Sequence, residues 1–283
     1  MSLGRRFRAP LLVLAIACML SASALGQTNC EIGAQPLREV QPEGISTAEI
    51  LQRALANESS YKSAHQQYTY TQEIKVQTLR PGMMRGDLLA DGEYRQIAEV
   101  SFDPHGHRLE SVTFAPQNTL RRVTMTQEDF DDILERASFV LLPETRSQYV
   151  FHYAGQQHVD EIDTYVFDVA PQQVQKHHRY FQGRVWIEVR DLGMVKSCGK
   201  TVPDEVLPPK KKRGRQNLHP TFATYRDRID GKYWLPVYMR SDDFLHFRGG
   251  DVRIRATVKF TNYRKPEPKN PHTPASTLQK AAH

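Results

Sequence analysis

The sequence predicts a mainly β fold (α+β): one strongly curved antiparallel sheet forming a half-barrel, with helices plugging the concave face. Three observations carry this. From about residue 68 onward the apolar residues recur at every second position, the period of half-buried strands. Turn residues such as Asp103-Pro104, Gly155, Asp191-Leu192-Gly193 and Asp230-Gly231 break that pattern into short antiparallel runs. Only two stretches keep a helical period, too few to cover both faces of a sheet. A sheet of about ten strands with one apolar face curls and needs a cover on that face.

The elements follow in order. Residues 1–26 read as a secretory signal peptide. Arg5, Arg6 and Arg8 precede the apolar run Leu11 to Leu20, and Ala24-Leu25-Gly26 places small residues before Gln27. The alternative, a retained anchor helix, asks for about 20 apolar residues. A lipoprotein anchor is excluded, because Thr28-Asn29 rather than aliphatic residues precede Cys30. Residues 27–45, rich in Gln, Pro and Gly, read as a flexible leader. Ser46-Thr47-Ala48-Glu49 has the form of a capping box. Ile50, Leu51, Ala54, Leu55 and Glu58 continue a helical stripe, giving a helix from about 47 to 65.

Strands follow at "YTYTQEIKVQT", "GEYRQIAEVSFD" and "RLESVTFAP". A second helix is expected over about 127–137, capped by Thr126 and rich in acids at its start. "SQYVFHYA" is read as turning at Gly155 into "HVDEIDTYVFDVAP"; "RYFQGRVWIEVRD" and "MVKSCGKTV" come next. In "RVWIEVR", Val185, Ile187 and Val189 face one way, and Arg184, Trp186, Glu188 and Arg190 the other. Two more strands meet at Asp230-Gly231. The last strand is the most regular: Val252, Ile254, Ala256, Val258 and Phe260 alternate with polar residues. The folded domain is thus 46–264, with a basic loop at 203–217 and a disordered Pro- and Lys-rich tail at 265–283.

The loop holds Lys210, Lys211, Lys212, Arg213 and Arg215 within nine residues, a run that suggests a polyanion partner. The charge count argues against nucleic acid. The chain has 38 basic and 32 acidic residues; the first 26 residues take three arginines and the run takes five more basic residues, which leaves 30 against 32. The body has no basic bias. Export also takes Cys30 and Cys198 to an oxidising compartment, where they either pair or stay as separate buried thiols.

Motifs that carry chemistry are missing. No G-x-S-x-G, H-E-x-x-H, P-loop or G-x-G-x-x-G occurs. His105 and His107 sit in a turn and are too few for a structural metal. His177 and His178 are adjacent, Asp129, Asp131 and Asp132 read as a helix start, and Trp186, Tyr233 and Trp234 read as packing aromatics. No catalytic residue, metal or cofactor is expected.

The capped helix running into "YTYTQEIKV", the paired "YVFDV" and "GRVWIEVRDLGMVKS", and the closing "DGKYWLPVYM" and "VRIRATVKFTNYRK" together resemble the periplasmic lipoprotein-carrier superfamily, the LolA/LolB-like half-barrels. Gly183 to Glu188 is the most suggestive piece. The resemblance implies an exported half-barrel with a helical lid and an apolar concavity for acyl chains. The expected wall is Tyr70, Ile74, Val76, Phe167, Val185, Ile187, Ile254, Val258 and Phe260. The alternative is that these residues only pack the helices. The function implied is a non-enzymatic periplasmic (or extracellular) carrier of lipids or lipidated proteins, working as a monomer. A second reading is an RseB-like envelope sensor that binds a lipid or protein partner. The basic run would then touch an anionic membrane surface.

Overall fold

Ser46 starts the first helix as the capping box requires: its hydroxyl accepts a hydrogen bond from the Glu49 N–H at 3.2 Å. The helix, α1, spans Thr47–His65 and buries Ile50, Leu51, Ala54, Leu55, Glu58, Tyr61, Ala64 and His65. The computed structural model describes residues 29–84, 86–131, 133–134, 142–175, 178–203, 219–247 and 250–265. Ten strands follow α1: β1 Thr69–Pro81, β2 Leu88–Phe102, β3 Arg108–Phe114, β4 Tyr149–Val159, β5 Ile162–Pro171, β6 Tyr180–Glu188, β7 Met194–Val202, β8 Phe222–Ile229, β9 Tyr233–Phe247 and β10 Gly250–Arg264. They form one open antiparallel sheet in the order β3-β2-β1-β10-β9-β8-β7-β6-β5-β4. The curved half-barrel read from the sequence is the fold observed.

The β1–β10 pairing brings the first and last strands together inside the sheet, third and fourth from the β3 edge. Ile74 faces Val258, and Val76 faces Ala256. Thr126 and Asp129 cap the second helix reciprocally, backbone to side chain, at 3.2 and 2.8 Å. This helix, α2, covers only Gln127–Asp131. Residues 132 and 135–137 of the expected 127–137 helix lie outside the described residues, as do most of the basic loop and the tail beyond Lys265.

Two readings from the sequence need correction. Gly155 is not a turn. It is a bulge, with φ of +140°, inside a continuous β4, and the turn falls at Asp160, whose φ is +52°. Glycine is required there because a Cβ would lie 2.2 Å from the Arg38 carbonyl oxygen of a passing segment. That segment is the second correction. The leader is not flexible over the described residues 30–40. It runs across the outer face of the sheet and along the free edge of β4 as a strap. Arg38 and Gln156 exchange two backbone hydrogen bonds of 2.8 Å, and Gln35 N–H donates to the His158 carbonyl at 2.9 Å. Ala34 and Leu37 of the strap also pack against buried residues of the sheet.

The outer face is therefore not uniformly polar. Under the strap it buries Val166, Trp186, Val195 and Ala223. Trp186 alternates away from the concave face as expected, yet it is fully buried. Alternation located its face; it could not announce a cover contributed from more than 140 residues away in sequence.

Candidate functional site

All nine predicted wall residues point into the concavity. On β1 and β10 the inward positions are Tyr70, Ile74, Val76, Ile254, Val258 and Phe260; on β5 and β6 they are Phe167, Val185 and Ile187. Each is at least 95 % buried. They do not form one continuous patch. Tyr70, Ile74, Val76, Val258 and Phe260 pack together with Val100 and Met239. Phe167, Val185 and Ile187 belong to a second cluster under Ile50, Leu51, Ala54 and Leu55 of α1. Ile254 joins Leu245 and Val252 in a third. The first cluster is capped by Leu120, Met125, Phe130 and Ile133 from the segment around α2. These inward-facing residues are covered by the chain's own α1 and the α2 region.

Polar ties hold α1 in place. Glu58, the charged member of the apolar stripe, receives two hydrogen bonds from the Arg226 guanidinium of β8, at 2.5 and 3.0 Å. Both side chains are completely buried. Burial pushes the Glu58 carboxyl above its ordinary range, and the Arg226 charge pulls it back. Asn57 donates its side-chain N–H bonds to the Asp191 and Leu192 carbonyls at 2.9 and 3.1 Å. The helix is therefore fastened to the sheet by a few specific contacts over an apolar floor.

At the end of α1, His65 lies among aromatic rings. Tyr70, Phe102 and Tyr263 stand 4.9, 5.6 and 6.0 Å from it. Burial, and then the positive charges of Arg226 and Arg108, lower its pKa from 6.5 to about 3. Between these values the unfolded chain takes up a proton that the folded chain refuses. Stability from this group is complete above pH 6.5 and is lost as pH falls through that window. At pH 5 the expected loss is about 2 kcal/mol. Urea unfolding at pH 7 and pH 5 measures it, and His65→Phe should remove most of the difference. If both proteins lose equal stability, the acid sensitivity resides elsewhere.

On the outer face, Lys196 is 1 % exposed. Its ammonium donates to the carbonyls of Cys30 and Ile32 in the strap, at 2.8 and 2.9 Å, and lies 4.8 and 5.0 Å from the Trp186 and Tyr225 rings. Loss of water lowers its pKa to about 8, with Asp160 and Glu31 opposing the shift. Trp186 donates its indole N–H to Gln157 Oε1 at 2.6 Å, so the ring is a packing element. Cys30 and Cys198 are joined as a disulfide with Cα atoms 5.3 Å apart. A cleft of about 620 Å³ opens beside it, lined by His152, Asp168, Gln182, Arg184 and Lys200 among others. Arg184 and Asp168 pair there at 2.7 Å.

The remaining candidates take structural roles. Asp103 accepts hydrogen bonds from the backbone N–H groups of His105 and His107 and from the His107 ring, each at 2.8 Å, which closes the turn. Trp234 donates to Asp191 at 2.9 Å, and Tyr233 stacks edge-on against Tyr61. Among the described residues no group of three or more His, Cys, Asp and Glu could hold a metal ion. No described helix is long and apolar enough to cross a membrane. His177, Asp132 and the run Lys210, Lys211, Lys212, Arg213 and Arg215 lie outside the described residues. The Glu58–Arg226 pair was not identified from sequence, although it left a signal: each is a charged residue at an inward-facing position of its element.

No protein-family model matches the chain, and no curated protein does. Solved structures are similar to it in fold. The LolA superfamily protein NE2245 from Nitrosomonas europaea overlaps 79 % of this chain and 95 % of its own, at 12 % identity and a TM-score of 0.32. A structure of MucB overlaps 76 % of this chain and 92 % of its own, at 13 % identity and a TM-score of 0.25. The Pseudomonas aeruginosa MucA/MucB complex overlaps 75 % and 93 %, at 11 % identity and a TM-score of 0.21. Scores this low carry no argument about the site, and the functional reading rests on the residues of this chain.

Proposed function

We propose that the chain is an exported, non-enzymatic binding protein of the periplasm whose concave face takes up acyl chains of lipids or lipidated proteins when α1 moves aside. The observation that carries this reading is the wall itself: nine inward-facing apolar residues on four strands, of which Phe167, Val185 and Ile187 lie under α1, a helix tied to the sheet by Asn57 and Glu58. An acyl chain replaces the apolar face of α1 on the same floor. Burial of its surface contributes about 25 cal/mol per Å², and no catalytic group is needed. The basic run Lys210 to Arg215 would supply headgroup contact at about 1 kcal/mol per charge near an anionic surface. Binding to phosphatidylglycerol vesicles that is unaffected by replacing the run with Ser would remove that role.

The test is uptake of a fluorescent fatty-acyl probe by the mature protein. Saturable uptake is expected. Asn57→Ala, which removes one tie and leaves the wall untouched, should speed uptake about fivefold, the worth of about 1 kcal/mol. A protein that takes up no probe, with or without this substitution, uses its wall only as a core.

A second reading, a sensor that binds a protein partner, is favoured by one observation. The edge strand β3 exposes Leu109, Val112 and Phe114, each 45–51 % accessible, beside a backbone edge that no described strand pairs. Such an edge accepts an added strand. A defined partner recovered on the wild-type chain, and lost on Val112→Lys, would support this reading over cargo transfer.

A further inference from the structure

Gln72 takes an inward position on β1, between Tyr70 and Ile74 of the wall. It is 2 % exposed and is the only amide among the inward residues of that strand. Arg108 of β3 donates to its Oε1 at 2.7 Å. This bond fixes the orientation of the amide, because a flip would set the NH2 group against the guanidinium. Gln72 Nε2 is buried and has no hydrogen-bond partner. A donor is therefore held at the concave wall without an acceptor. Leaving a buried donor unmet costs more than a typical hydrogen bond contributes, so such a group calls for an occupant that accepts from it.

The surroundings define that occupant. Gln72 stands opposite Ala98 of β2, and Ala98 opposite Val112 of β3. The row runs from the buried amide, past a small side chain, to Val112, which is 51 % exposed at the edge of the sheet. In the other direction lies the track of α1. Leu51 and Leu55 pack with Phe167, Val185 and Ile187, and His65, in the last turn, lies 4.9 Å from the Tyr70 ring. An acyl chain in that track would have its tail over Phe167, Val185 and Ile187 and its carbonyl end beside Tyr70 and Gln72. The rest of the molecule would leave over Ala98 and Val112.

Charge decides between kinds of acyl group. Arg108 and Arg226, whose charges both reach His65 at this end of α1, are paired with Glu110 and Glu58. A free carboxylate buried here would add an uncompensated negative charge, a cost that a neutral carbonyl avoids. An ester offers only acceptors, whereas an amide brings a donor of its own, so the ester is the better match to a donor-only group.

We infer that Gln72 is a specificity-determining residue: its amide donates to the carbonyl oxygen of an ester-linked acyl chain, and the wall thereby selects esters over free fatty acids. This rests on the acyl uptake proposed above and adds the class of acyl group and the side chain that reads it.

The test displaces the fluorescent acyl probe from the mature protein at neutral pH. The competitors are a methyl ester, the free acid and an alkyl methyl ether of equal chain length; the ether keeps the shape and lacks the carbonyl. The ester should bind about fivefold more tightly than the ether, the worth of one buried hydrogen bond, and more tightly than the acid. Gln72→Met, similar in length, should bring the ester to the affinity of the ether and leave the ether unchanged. Infrared spectra of an isotope-labelled ester carbonyl read the bond directly and need no variant. The band should lie at lower wavenumber on the wild type than in hexane, and Gln72→Met should return it towards the hexane position. Equal affinity for ester and ether, or a wild-type band at the hexane position, overturns the inference and leaves acyl uptake standing. Equal loss of ester and ether binding in Gln72→Met makes the residue a packing element and overturns it too. Tighter binding of the free acid assigns the donor to a carboxylate, with the same consequence. Displacement by none of the competitors overturns acyl uptake and this inference together.

Discussion

Arg226→Met is expected to destabilise the fold by about 3–5 kcal/mol, because it leaves the Glu58 carboxylate buried without its partner. Neither side chain reaches solvent, so water cannot replace the lost contacts. The double variant Glu58→Leu with Arg226→Met removes both charges and keeps a similar volume. It should recover most of the loss, and a stability equal to or above wild type is within the range for such pairs. Denaturant unfolding of the four proteins in the cycle gives the coupling directly. A single substitution costing under about 1 kcal/mol would place the pair in contact with water and remove it as a fastening of α1.

Cys30→Ala should lower stability by up to about 5 kcal/mol, the loop-closure value for the 168-residue separation that the disulfide spans. The effect has two parts. The larger acts on the unfolded chain, which regains the freedom of a long loop. The smaller acts on the fold, where the strap keeps its edge hydrogen bonds to β4 and the two contacts from Lys196. Backbone amides of Arg38 and Gln35 should therefore remain partly protected from hydrogen exchange in the variant, while the unfolding midpoint drops sharply. An unchanged midpoint after reduction or substitution would mean that the bridge does not form in the folded protein.

The parts of the fold that obey a local rule were legible in the sequence. β10 alternates Val252 to Phe260 without a break, and its inward face is the one observed. The capping box at Ser46 and the turn at Asp230-Gly231, whose φ values are +54° and +64°, follow from hydrogen bonding and sterics within four residues. Gly155 was misread for a related reason. A glycine between two strand-like runs signals a turn, but the demand here comes from the strap backbone, distant in sequence. The strap itself has no periodicity to detect. Its order comes from Cys198, Lys196 and the β4 edge, none of which lies near it in the chain.

The candidate site divides in the same way. The identity of the wall residues followed from alternation, since a period of two assigns a face. Their separation into three clusters depends on what α1 and the α2 region place over them, which alternation does not encode. Glu58 was visible as a charged residue within an apolar stripe, but its partner could be found only once β8 lay opposite the helix.

If the concave wall accepts an acyl chain in place of α1, the protein isolated by mild extraction from its own cell should carry lipid. Native mass spectrometry should then show a population with one added mass in the acyl-lipid range, released by organic solvent and restored by incubation with lipid. A protein that flies only at its bare mass, and stays there after incubation with lipid, would contradict it.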